Sequence, residues 1–161
     1  MAESWFLKID GIVGESTDSA HKGEIDVESW SWGVSRSGGT GSGSGGGAGK
    51  AAFDDFHFVS RISAASPPLL NACATGTHIK VATLSGTRGA GKSKSVDFLK
   101  YQLSDVTVTS VQQFDGESQA PSEQFSLNYS KIEVTYRPQT TSGKIGSPVT
   151  FAFDVKANKK I

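Results

Sequence analysis

Glu24-Ile25-Asp26-Val27-Glu28-Ser29-Trp30-Ser31-Trp32-Gly33-Val34 is the stretch that decides the fold class. From Ser29 onward, Trp30, Trp32 and Val34 fall on one face and Ser29, Ser31 and Gly33 on the other, the pattern of a half-buried strand. Ile25 and Val27 sit at the opposite parity, so the apolar side changes between Val27 and Trp30. A β-bulge or a sharp bend does this, and the strand then serves two surfaces. Behind it, Ser37 to Gly49 is almost wholly Gly, Ser, Thr and Ala. Such a tract buries too little apolar area to offset its ordering entropy, so a flexible Gly/Ser loop is expected over 37–50.

The chain returns from that loop as Phe53 to Ile62, the natural hairpin partner of the tryptophan strand. There Phe56, Phe58 and Ile62 share a face opposite His57, Val59 and Arg61. Alternation on the two strands assigns Trp30, Trp32, Phe56 and Phe58 to one core. Upstream, Trp5, Leu7 and Ile9 alternate with polar neighbours and stop at Asp10-Gly11, a first strand with a turn behind it. Downstream, Ser66-Pro67-Pro68 reads as a helix start, with Ser66 as the capping residue and Gly76 as the left-handed stop, giving a short helix over about Pro67 to Thr75. A helix this short must dock on something larger.

The remainder reads as strands: Ile79 to Ser85, Val96 to Leu103, Val106 to Val111, Phe125 to Tyr136 and Val149 to Val155. Phe125, Leu127 and Tyr129 face one way and Ile132, Val134 and Tyr136 the other, a second change of face. About eight strands, one short helix and glycine-rich turns predict an all-β fold. We expect a small closed barrel with the helix on its flank, since closure leaves few exposed edges. Residues 1–161 are expected to form a single domain, a length that hides roughly two thirds of the unfolded surface.

Sixteen basic residues balance sixteen acidic ones. Zero formal charge removes the broad electrostatic case for nucleic acid or an anionic membrane as partner, and it tolerates self-association. The single cysteine, Cys73, leaves no disulfide within the chain, so folding in a reducing compartment is expected. The start, Met1 to Asp10, has neither a basic run nor an apolar stretch, so a cleavable signal peptide is not expected. No stretch approaches the roughly 20 apolar residues of a membrane helix, so no membrane insertion is expected.

Gly86-Thr87-Arg88-Gly89-Ala90-Gly91-Lys92-Ser93 matches the P-loop pattern letter for letter. A P-loop needs a helix behind it, whose free amides hold phosphate, and here Val96, Phe98 and the residues to Leu103 are strand formers; we read a turn between strands. His21, His57 and His78 are scattered, without the spacing of a metal site, and read as polar surface residues. Asp54 and Asp55 point to opposite faces and form no carboxylate pair. No catalytic, cofactor-binding or metal-ligating residues are therefore expected, and the protein is expected not to be an enzyme.

Taken together, Gly14-Glu15-Ser16, Glu24 to Val27, Trp30-Ser31-Trp32-Gly33 and Gly47-Ala48-Gly49-Lys50 resemble the Hcp family. So do Pro68-Leu69-Leu70 with Cys73, Gly76-Thr77-His78, Leu103-Ser104-Asp105-Val106 with Ser110-Val111, and Ile132 to Gln139. The likeness covers nearly the whole chain; Thr87 to Ser95 and Phe114 to Glu123 depart from it. It implies a bacterial type VI secretion tube subunit: a homo-hexameric ring of small barrels that stacks on further rings, carries effectors in its channel, and works with sheath and spike proteins. It also implies assembly in the cytoplasm followed by export without a signal peptide. On that reading Ser29 and Ser31 line the channel and touch effectors, while Gly38, Gly41, Gly45, Gly47 and Lys50 belong to a loop that contacts a neighbouring ring or subunit. The alternative from another class is a monomeric barrel that binds a small ligand or carbohydrate; a large apolar internal pocket would mark it.

Overall fold

A computed structural model describes residues 3–37, 50–90, 93–116, 120–139 and 145–161. In chain order these form β1 (Glu3–Ile9), β2 (Ile25–Ser31), β3 (Val34–Arg36), β4 (Ala51–Phe53), β5 (Phe56–Arg61), α1 (Ser66–Thr75), β6 (Ile79–Ala90), β7 (Ser93–Phe114), β8 (Ser122–Asn128), β9 (Lys131–Tyr136), β10 (Val149–Asp154) and β11 (Lys159–Lys160). The main sheet runs β11-β10-β9-β7-β6-β1-β2-β5-β8, and β8 pairs back onto β7. That last pairing closes a six-stranded barrel of β7, β6, β1, β2, β5 and β8. β9, β10 and β11 form a wing outside the closed ring.

The length of β7 makes both parts possible. On one side it pairs with β6; on the other, Leu99 to Ser104 pair with β9 and Thr107 to Phe114 with β8. The sequence suggests two strands here, broken at Ser104-Asp105. Instead Asp105 takes a left-handed φ of 53° and stays in the strand. Opposite it, the expected single strand Phe125 to Tyr136 is two, parted at Tyr129-Ser130. The pairs Leu103↔Ile132 and Val108↔Leu127 keep one offset, so β7 and its partners change face together. The Ser130 hydroxyl donates to the Asp105 carboxylate at 2.8 Å and the Ser130 amide to the Ser104 carbonyl at 2.9 Å. The Ser130 hydroxyl bond to its ionised form, with another from His78, holds the Asp105 carboxyl below its ordinary pKa.

The change of face inside the tryptophan strand is a bulge: the register slips between Val27 and Ser29, leaving Glu28 outside the ladder. The returning segment is also broken, at Asp54-Asp55, so the hairpin continues past Ser31 as a separate ribbon of β3 on β4. Ser60, not Ile62, completes the buried face begun by Phe56 and Phe58; Ile62 lies beyond β5 and is exposed.

Phe56, Phe58, Phe125, Leu7, Leu84, Leu103 and Leu127 fill the barrel, and Ile132 of β9 joins the same core from the wing, each under 3% exposed. Trp30 and Trp32 are half-buried at one end of that core, with Trp5–Trp30 and Trp30–Tyr101 ring centroids 5.1 Å apart. Tyr129 accepts a hydrogen bond from the Trp32 indole N–H and donates to the Asp54 carbonyl at 2.8 Å. Burial of its phenol pushes its pKa up to about 12.

The helix starts differently from the sequence expectation. Ala65 occupies the capping position and no side chain caps the free amides. Ser66 lies inside the helix, where its hydroxyl accepts from the Ser63 amide and donates to Glu123 of β8 at 2.7 Å. A buried carboxylate thus draws the helix start onto the barrel, and Leu69 and Ala72 seal the contact. Gly76 ends the helix with φ 65°, as expected.

Candidate functional site

Because Trp30, Phe58 and Phe125 are register partners facing inward, their neighbours face outward in two rows across four strands. One row is Ser31↔His57↔Ser126↔Ser110 and the other Ser29↔Val59↔Gln124↔Gln112. All of these except Ser126 line an open groove of about 490 Å³ on the outer face of the barrel. Ser29 and Ser31 are exposed there. Ser126 is 3% exposed, and hydroxyl contacts with Ser110 at 2.5 Å and Thr109 at 2.7 Å anchor it; Asp55 accepts from Thr109 at 2.8 Å.

Among the described residues lining this groove none is an acid, lysine or arginine, and His57 is the only titratable one. The face offers hydroxyls and amides that both donate and accept, which suits reversible hydrogen bonding to a polar surface. Ser29 and Ser31 were legible from alternation in one strand. His57 lies on the outward face of the expected hairpin partner but was not singled out, and Ser110, Gln112 and Gln124 were not legible, because joining them needs the order of strands that are distant in sequence.

The other expected sites divide. Gly38, Gly41, Gly45 and Gly47 lie outside the described residues, while Lys50 is exposed just ahead of β4. The P-loop-like stretch is strand as far as Ala90, and Ser93 opens the antiparallel β7; its Gly91 and Lys92 lie outside the described residues. Among the described residues, no group of three His, Cys, Asp or Glu side chains could hold a metal, and no helix is long and apolar enough to cross a membrane. His21 corrects the expectation of surface histidines. It is 6% exposed, with ring nitrogens 3.0 Å from Glu24 and 2.8 Å from Asp97.

The fold is a closed six-stranded barrel with a sheet wing, a flanking helix and a polar groove across its outer wall. Residues 6–136 match the family described as "Type VI secretion system effector, Hcp", and the chain belongs to that family. It is 43% identical over 160 residues to the protein hcp1 of Pseudomonas aeruginosa, covering 98% of both chains. Among solved structures it is similar to Hcp1 from Salmonella typhimurium, at 36% identity and a TM-score of 0.82 with all of both chains covered. It is also similar to a type six secretion system protein at 29% identity and a TM-score of 0.90, covering 99% of this chain and 100% of that one.

Proposed function

We propose that residues 1–161 act as one Hcp-like domain, a subunit of the type VI secretion tube, in hexameric rings whose channel is lined by the Ser29 and Ser31 face. The observation that carries this reading is the continuous uncharged hydroxyl and amide surface across β2, β5, β8 and β7. Repeated around a ring, it makes a wet wall that holds polar cargo weakly and lets it go. The described barrel interior is filled by phenylalanine and leucine side chains, which counts against the monomeric ligand-binding alternative. Effectors, further rings, sheath and spike are then the partners. Assembly is cytoplasmic and export follows without a signal peptide. No catalytic role is assigned.

The wing supplies a surface for the neighbouring subunit. Val149 and Phe151 of β10 and Tyr136 of β9 share one face and are 64%, 39% and 40% exposed. The same face carries Ile132, Val134 and Phe153 against the core, so its exposed outer end is the part a neighbour can cover, and covering it favours association. Phe151→Asp is expected to give folded subunits with an unchanged circular dichroism spectrum that elute at lower mass, because a carboxylate cannot be buried there unpaired. The tract over 37–50 is assigned to contacts between rings or subunits. Closing a loop of that length in place of a four-residue turn costs only about 1.2 kcal/mol, which the barrel can carry.

Ser31→Gln tests the channel assignment. The larger side chain fills the groove between Ser31 and His57, so rings are expected to form normally but to lose a co-expressed small effector that unaltered rings retain. Chemical denaturation should move by no more than about 0.5 kcal/mol, as for other exposed positions. Unchanged retention would place Ser31 away from the cargo.

A further inference from the structure

Phe6 lies on β1 between Trp5 and Leu7, so alternation turns it away from the barrel interior, yet it is only 5% exposed. The His21 ring covers it, stacked with centroids 4.7 Å apart and planes 7° from parallel. His21 belongs to the loop between β1 and β2, which folds back on itself. The Gly14 amide donates to the Gly23 carbonyl, the Gly23 amide to the Ser16 carbonyl and the Ser16 amide to the Glu24 carbonyl, at 2.8 to 2.9 Å. The imidazole is fixed from both sides: Nδ1 is 3.0 Å from the Glu24 carboxylate and Nε2 is 2.8 Å from the Asp97 carboxylate on β7. Carboxylates only accept hydrogen bonds, so both nitrogens must donate, and only the imidazolium has two N–H groups.

We infer that His21 is a protonation latch: as an imidazolium it ties the loop from Gly14 to Gly23 across Phe6 to β7, and on losing its proton it gives up one carboxylate and releases the loop. The charges acting on the ring are Asp97 from β7 and Glu24 from the loop's end; β1 presents the uncharged Phe6. Asp18, the nearby acid of the loop, is taken up by the Ala20 and His21 amides. Burial pulls the imidazole pKa down, but the hydrogen bonds and charges of Asp97 and Glu24 outweigh it and hold the pKa above the ordinary 6.5. A raised folded-state value means that the latch contributes fully below 6.5 and is lost as pH climbs through the folded-state value. The loop is therefore closed below 6.5 and opens as pH climbs through the raised folded-state value, uncovering Phe6.

Hydrogen exchange read by mass spectrometry on assembled protein, from about pH 6 to about pH 9, tests this. After correction for intrinsic exchange, peptides over 14–24 should lose protection by up to about tenfold per pH unit once His21 titrates, while β5 and β8 peptides keep theirs. Asp97→Asn, at a partly exposed position, should leave the loop poorly protected at every pH. His21→Gln should do the same. The latch is overturned if the loop of the unaltered protein shows constant protection, or if Asp97→Asn keeps the same pH-dependent protection.

Discussion

Phe56→Ala is expected to cost the fold about 3 to 5 kcal/mol, the range for deleting a buried phenylalanine where the surroundings cannot collapse. Phe56 is fully buried, and its ring meets Trp30 at 5.6 Å, Trp32 at 5.7 Å, Phe58 at 5.2 Å and Tyr101 at 5.2 Å. Trp30, Phe58 and Tyr101 sit on β2, β5 and β7, which are tied into sheet pairings, and the Trp32 indole is held by Tyr129, so the four rings cannot close on the vacancy together. Urea unfolding at fixed protein concentration should show a much lower midpoint with an unchanged slope. A loss below about 1 kcal/mol would mean that these aromatics do not form the centre of the barrel.

Gly14→Ala is the second large effect, at about 3 kcal/mol, the upper end for forcing an extra methyl into a packed site. A methyl on Gly14 would stand 2.5 Å from the Glu24 carbonyl oxygen, 2.7 Å from its carbon and 2.8 Å from the Ile25 Cα. All three are backbone atoms, so no rotamer change relieves the contact. The loop or the start of β2 must move, and the bonds from Gly14 to Gly23 and from Ser16 to Glu24 go with it. Because Glu24 also holds His21, the variant should expose the loop to exchange at neutral pH. An unfolding midpoint close to the unaltered protein's would contradict this packing.

What the chain reveals before folding tracks how local each signal is. Ile25 and Val27 against Trp30 and Trp32 disclose the bulge at Glu28 because side-chain parity is written along one strand. The closed barrel was legible in outline, yet the wing was not. Ser104-Asp105 looks like a turn, and only pairing with β9 and β8 keeps β7 continuous through a left-handed residue. Ser66 has the identity of a cap, but a buried acid 57 residues away claims its hydroxyl. Likewise, nothing near His21 announces Asp97, 76 residues further on. Of the groove, Ser29 and Ser31 could be read from alternation, whereas Ser110, Gln112 and Gln124 join it through strand order alone.

The central claim is that these barrels work as a ring with the serine face turned inward, and the mass of the native particle tests it most directly. Multi-angle light scattering on the purified protein should report six times the mass of one chain, constant across the micromolar range. A particle of one chain's mass up to near-millimolar protein would contradict the account.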